Sequence, residues 1–294
     1  MRMKRARLIY NPSAGREEVR KRIPDILNKL EMAGYETSCH ATKSDGDATR
    51  AARRAVDSRF DLVIAAGGDG TIYEVVNGLA EQSYRPALGI IPAGTTNDFA
   101  RAIGLPRSIM KAVEVIAKGK PYPVDIGKMN DRYFINIAGG GALTTLTYEV
   151  PSKLKTVLGQ LAYYMKGMEK LPFLSPMPIR IETDDHIIDE EIMLFLIANS
   201  NSVGGMVRMA PNAKLDDGLF DVLILKKISL ADFIRIATMA IKGEHIKDPA
   251  VMYFQTKSFK ATSPKEVKLN LDGELGGMLP CTFTALPGHI QLIR

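Results

Sequence analysis

Residues 61–80 read DLVIAAGGDGTIYEVVNGLA. An uninterrupted apolar run, the pattern of a strand buried on both faces, ends in Gly67-Gly68-Asp69-Gly70, and a helix is expected to begin at Thr71. Glycines let the backbone come close to a ligand, and free amides at a helix start attract phosphate. An Asp in such a turn repels a bare phosphate, so Asp69 implies a cation between the two, Mg²⁺ held directly or through water. The alternative is an ordinary tight turn; four motif residues in a strand–turn–helix setting favour phosphate. Asn11-Pro12-Ser13-Ala14-Gly15 and Pro92-Ala93-Gly94-Thr95-Thr96-Asn97-Asp98 each end an expected strand and open a helix. Three strand ends rich in Gly, Ser, Thr and Asn would thus converge on one crevice.

The nucleotide schemes with well-known signatures are excluded. GxxxxGK[ST] is absent, no GxGxxG follows a strand, and the HRD and DFG signatures of protein kinases are missing. Two further Asp-Gly pairs invite chemistry. Asp216-Asp217-Gly218 suits a surface turn and equally a hard cation, which takes carboxylate and carbonyl oxygens. Leu271-Asp272-Gly273-Glu274 follows an alternating strand and would ordinarily be a hairpin turn.

The elements that must position these residues alternate over the first 125 positions. Arg5–Tyr10, Tyr35–Ala41, Asp61–Ala66 and Pro86–Ile91 are strand-like; Glu17–Ala33, Asp45–Asp57 from an Asp cap, Thr71–Glu81 and Thr96 to about Ile103 are helical. This order predicts a doubly wound parallel α/β sheet with its ligand at the carboxyl ends of the strands. Beyond about Val124 the chain is strand-rich: Arg132–Ile137, Ile179–Glu182, Glu191–Ala198, Phe220–Leu225 and Val267–Leu271, with helices at Ser152–Leu171 and Ser229–Lys242. The expected division is residues 1–125, with 286–294 returning as a strand, and a mainly antiparallel, sandwich-like β domain over 126–285.

Of 294 residues, 46% are apolar and 24% charged, which is ordinary globular composition. Cys39 and Cys281 form neither a CxxC pair nor a Cys/His cluster, so no disulfide framework or zinc site is indicated. His40, His186, His245 and His289 make no motif. No run approaches the roughly 20 apolar residues of a bilayer span, and the apolar run at Leu8–Tyr10 is too short for a signal peptide. A cytoplasmic protein is expected. The net charge of +6 favours anionic partners. Without an aromatic RNA-binding pattern or a zinc finger, nucleic acid is not expected, and a peripheral position at the inner, anionic face of a membrane is.

NPSAG, GGDGT followed by EVVNG, and PAGTTNDFAR, in this order, resemble the catalytic domain of the diacylglycerol kinase family, shared with sphingosine and ceramide kinases. VDIGK at 124–128, KLDDGLF at 214–220 and LDGE at 271–274 extend the resemblance, to the bacterial soluble members, over essentially the whole chain. The resemblance implies two domains, with ATP on the strand ends of the first and the lipid acceptor in a cleft beside the second. It assigns nucleotide contacts to Asn11, Pro12, Ser13, Ala14, Gly15, Thr42, Gly67, Gly68, Asp69, Gly70, Thr71, Glu74 and Thr95. Asp69 would act through an active-site Mg²⁺ with Asp125 completing the network, and Glu274 would be the general base. A second, structural Mg²⁺ would sit on the Asp217 carboxylate and the carbonyls of Lys214 and Leu219. Arg16 and Lys166 are the cations expected near the transferring phosphate, Arg16 departing from the Lys that the resemblance leads one to expect, which keeps the charge and changes its shape.

The implied reaction moves the γ-phosphoryl group of ATP, with Mg²⁺, onto diacylglycerol to give phosphatidic acid. A sphingoid base or another glycerolipid as acceptor, NAD phosphorylation suggested by GGDG, and a catalytically silent sensor are the alternatives. A homodimer is compatible with the family. The segment 161–174, LAYYMKGMEKLPFL, reads either as an interfacial element on lipid or as a core-packing helix.

Overall fold

The structure, a computed structural model, describes residues 2–142, 175–203 and 206–294. The chain divides into two compact units, residues 1–126 with 287–294, and residues 127–286.

The first unit carries β1 (Lys4–Tyr10), a 3-10 turn (Ala14–Glu17), α1 (Glu18–Lys21), α2 (Ile23–Met32), β2 (Tyr35–Ala41), α3 (Asp47–Asp57), β3 (Leu62–Gly67), α4 (Asp69–Leu79), β4 (Ala87–Pro92), α5 (Asp98–Ala102) and α6 (Ile109–Lys118). Its strands lie in the order β2-β1-β3-β4, and each neighbouring pair is parallel. All six residues of β3 are buried, as its unbroken apolar run requires. Ala6, Leu8 and Tyr10 of β1 pack with Ile26 and Leu30 of α2 and Val113 and Ile116 of α6 in one core layer. The winding direction reverses between β1 and β3, the topological switch point at which open α/β sheets bind ligands.

Several boundaries differ from the sequence reading: α5 begins at Asp98 rather than Thr96, and α6 has no counterpart in it. The expected helix 17–33 is broken at Arg22, because Pro24, lacking an N–H, opens a new helix in its first turn. Helix α3 begins at Asp47 with Gly46 as N-cap rather than at an Asp45 cap. Helix α4 begins at Asp69, two residues before Thr71, which puts Asp69 and Gly70 inside the first helical turn.

The second unit carries β6 (Arg132–Phe134), β7 (Ile137–Gly140), β8 (Met177–Thr183), β9 (Ile187–Ala198), the short pair β10 (Ser202–Val203) and β11 (Met206–Val207), β12 (Phe220–Lys226), α7 (Leu230–Lys242), β13 (Val251–Thr256), β14 (Ser258–Thr262), β15 (Lys268–Leu271) and β16 (Glu274–Met278). The chain enters it within β5 (Pro121–Met129) and leaves it within β17 (Cys281–Ile293). The sheet runs β16-β15-β7-β9-β8-β14-β17, with β12 between β9 and β13, and its pairings are antiparallel. Phe134, Phe195, Phe220, Phe259 and Phe283 are each fully buried, with ring centroids 5.3–6.3 Å apart. The expected strand 132–137 is two strands with a bend at Ile135-Asn136. In the first unit, Leu292 of β17 pairs in parallel with Leu88 of β4. The expected helix Ser152–Leu171 and the segment 161–174 lie outside the described residues.

Candidate functional site

The carboxyl ends of β2, β1, β3 and β4 lie side by side in the first unit, stitched by main-chain bonds: Thr42 N–H to Tyr10 O at 2.9 Å, Asn11 N–H to Ala66 O at 3.0 Å, and Ala93 N–H to Gly67 O at 2.8 Å. The residues expected to hold nucleotide, Asn11 to Gly15, Thr42, Gly67 to Glu74 and Thr95, are therefore gathered on four adjacent strand ends and the helices they open. Asn11 shapes its own loop, its Oδ1 accepting from the Ser13 amide at 3.0 Å and the Ser13 hydroxyl at 2.8 Å. Gly15 has φ +58°, and a Cβ there would stand 3.0 Å from Ala93 O. Arg16 lies in the same 3-10 turn.

The glycines of the two central loops meet backbone to backbone. A Cβ on Gly94 would sit 2.5 Å from Gly68 Cα and 2.9 Å from Asn97 Oδ1, inside any tolerable contact. Asn97, at φ +52°, locks the second loop, its Oδ1 accepting from Gly94 N–H and its Nδ2 donating to Gly94 O, each at 2.8 Å. Thr95, at the tip, is exposed. Beyond it α5 begins, and its opening amides at Asn97, Asp98 and Phe99 donate to the Asp69 carboxylate.

Three amides favour an ionised Asp69, yet burial, and next the charge of Asp98, push its pKa up to about 6. Its Oδ1 is buried with no hydrogen-bond partner. A buried carboxylate oxygen left without a donor, beside a second carboxylate, is the donor set a hard divalent cation satisfies. These residues fit Mg²⁺. Asp98 is the participant that sequence reasoning quoted within PAGTTND without assigning it a role; only the packing of α5 against the start of α4 brings it to Asp69.

Glu74 is engaged elsewhere. Its two carboxylate oxygens accept from Gly46 N–H and Ala48 N–H, each at 2.9 Å, so α4 supplies the cap that α3 lacks locally. Asp125 is buried, and its Oδ1 accepts from Gly288 N–H at 2.6 Å, which ties β5 to the returning strand β17.

In the second unit Glu274 is exposed at the first position of β16, paired across the hairpin with Leu271. The turn between them is Asp272-Gly273, with φ +50° and +97°, the left-handed pair a two-residue hairpin needs. Asp217 is exposed and its Oδ1 accepts from Leu219 N–H at 3.1 Å, closing a local turn between Lys214 and β12. Four residues on, Asp221 is buried and held by Tyr253 Oη and Gln255 Nε2; burial first, then the Asp217 charge, raises its pKa. Asp221 stands in β12 rather than in the loop, with both carboxylate oxygens engaged, so Asp217 is the only loop carboxylate of this pair. No cluster of three or more His, Cys, Asp or Glu occurs among the described residues. Lys166 lies outside the described residues.

Residues 5–129 match the model of the diacylglycerol kinase catalytic domain, and residues 143–294 match that of the YegS C-terminal NAD kinase beta sandwich-like domain. The chain is 58% identical over 292 residues to a diacylglycerol kinase of Bacillus subtilis, covering 99% of this chain and 96% of the relative. Against a diacylglycerol kinase of Staphylococcus epidermidis it is 54% identical over 289 residues, 98% of this chain and 92% of the relative. Among solved structures, a diacylglycerol kinase from Bacillus anthracis aligns with TM-score 0.78 at 28% identity, over 100% of this chain and 97% of the other. Glycine loops that touch backbone to backbone, a half-satisfied Asp69 and this likeness over nearly the full length agree: the chain belongs to the diacylglycerol kinase family.

Proposed function

We propose that the protein is a Mg²⁺-dependent kinase that transfers the γ-phosphoryl group of ATP to the free hydroxyl of diacylglycerol, yielding phosphatidic acid. The observation that carries this reading is Asp69, whose buried Oδ1 has no donor while three α5 amides hold its other side in place. Mg²⁺ bound there would neutralise charge developing on the phosphates. The amides of the Asn11–Gly15 loop and of the first turn of α4, with Thr42 and Thr95, would orient the triphosphate. Arg16 and Lys166 would add positive charge beside the transferring group. Glu274 would accept the acceptor's hydroxyl proton as the O–P bond forms. Loss of this base, as in Glu274→Gln, should cost about 10²-fold or more in kcat and leave ATP affinity nearly unchanged.

The Lys214–Leu219 loop would hold the second, structural Mg²⁺, through Asp217. The diacylglycerol would be met at an anionic membrane surface on the cytoplasmic side. Helix α7 supports that, because Leu230, Ile234 and Ile241 stand exposed along one stripe, with Lys226, Lys227, Lys242 and Lys247 close in sequence. Among the described residues no helix is long and apolar enough to cross a membrane. A homodimer is tested by sedimentation, where a single species of one chain mass excludes it.

The deciding experiment follows labelled γ-phosphate from ATP to lipid in mixed micelles containing anionic phospholipid, with and without Mg²⁺, beside Asp69→Ala. Mg²⁺-dependent phosphatidic acid that vanishes in the variant is expected. Transfer to a sphingoid base or to NAD in place of diacylglycerol would replace the acceptor.

A further inference from the structure

Glu274 opens β16, an edge strand of the second unit's sheet, with its side chain exposed. The residues on either side of Glu274 fix the strand end from which its carboxylate projects. The Asp272-Gly273 turn does not itself require an Asp, since Asn-Gly adopts the same left-handed pair at least as readily. What the Asp adds is a clamp. Its Oδ1 accepts from Asn136 N–H at 2.9 Å and Ile137 N–H at 2.8 Å, its Oδ2 accepts from Ile135 N–H at 2.8 Å, and its own N–H donates to Ile137 O at 2.9 Å. These three amides lie at the bend between β6 and β7.

The bend is itself fixed from behind. Asn199, fully buried, donates from Nδ2 to Ile135 O at 2.8 Å and from its backbone N–H to Asn136 O at 2.9 Å. On the other side of Glu274, the exposed Arg132 donates from Nη1 to Leu275 O at 2.7 Å. Glu274 is thus bracketed: two residues before it Asp272 ties the hairpin to the β6–β7 bend, and one residue after it Arg132 ties it to the start of β6.

We infer that Asp272, assisted by Arg132, is a positioning residue that fixes where the Glu274 carboxylate stands when the acceptor hydroxyl arrives. The inference rests on the reading of Glu274 as general base and adds the device that aims it. An ångström of misplacement at a reacting group costs up to about 10²-fold in rate.

The test is a double-mutant cycle on the full-length enzyme, read as single-turnover phosphorylation of diacylglycerol in mixed micelles. Asp272→Asn keeps the turn and one acceptor oxygen but turns an amide N–H toward the Ile135 donor. It is expected to lower kcat by about tenfold or more while the KM for ATP stays within about twofold. In a Glu274→Gln background the same change should shift the residual rate by less than about twofold, because the group being aimed is gone. Should Asp272→Asn fail to fold, Arg132→Ala, which removes an exposed side chain, reads the same quantity as a few-fold loss that disappears in that background. A normal kcat in Asp272→Asn beside a disabled Glu274→Gln overturns the inference and leaves the base reading intact. Losses that multiply in the double variant also overturn it, making Asp272 a general element of the fold. Near-normal turnover in Glu274→Gln removes the base and its positioner together.

Discussion

With no cation bound, the ionised Asp69 should destabilise the first unit at neutral pH. Its pKa rises from 3.8 to about 6 on folding, so the folded state holds a proton that the unfolded state has released between those values. The stabilising contribution is therefore fully present below about pH 3.8 and is lost as the pH rises through about 6. At about 1.36 kcal/mol per pKa unit the whole shift is worth roughly 3 kcal/mol, and integration between about pH 5 and pH 7.5 leaves about 1.4 kcal/mol. For a unit of this size that is a change in Tm of roughly 4 °C. The measurement is thermal unfolding in chelator at the two pH values for the wild type and Asp69→Asn, because the difference between the two proteins cancels every other titrating group. The wild type should lose about 4 °C more than the variant on going to the higher pH, and added Mg²⁺ with nucleotide should return it. Parallel pH profiles for the two proteins would refute the argument that an ionised, half-satisfied Asp69 is held in readiness for a cation.

Gly94→Ala should abolish ATP binding, since the new methyl must push Gly68 or Asn97 aside; overpacking of this kind costs about 1–3 kcal/mol, and calorimetry with a nonhydrolysable ATP analogue reads the loss. Glu74→Gln should lower Tm through a stability loss of about 1–2 kcal/mol, because an amide N–H then faces the Gly46 or Ala48 donor, and a change in ATP affinity without any change in Tm would make Glu74 a ligand rather than a cap. Asp217→Ala should abolish a Mg²⁺-dependent rise in protection of the Lys214–Leu219 amides in hydrogen exchange while ATP binding persists.

What could be read from the sequence was what is local. The apolar run Leu62–Ala66 and its Gly-rich exit identified a buried parallel strand that runs straight into a helix, and the change to strand-rich texture after Val124 identified the β unit. What could not be read came from residues far apart. The cap of α3 is Glu74, 26 and 28 positions from the amides it accepts, and no local pattern at Asp45 could report that. Asp98 gained its place only when α5 folded back onto the start of α4. The break at Arg22 was local and legible in Pro24, but the hydrophobic period of Val19, Ile23, Ile26, Leu27 and Leu30 runs on through it and masked the stop.

Asp69 and Asp272 show why an Asp-Gly pair alone does not declare its chemistry. Each carboxylate gathers three consecutive backbone amides, Asn97 to Phe99 for one and Ile135 to Ile137 for the other. Asp272 spreads its three donors over both oxygens, which makes it a clamp. Asp69 keeps one buried oxygen without a donor and feels a second carboxylate as well. The amides therefore aim it while one oxygen stays unmet, a condition that a bound cation would relieve. The number of oxygens left over, rather than the motif, is what distinguishes the two carboxylates.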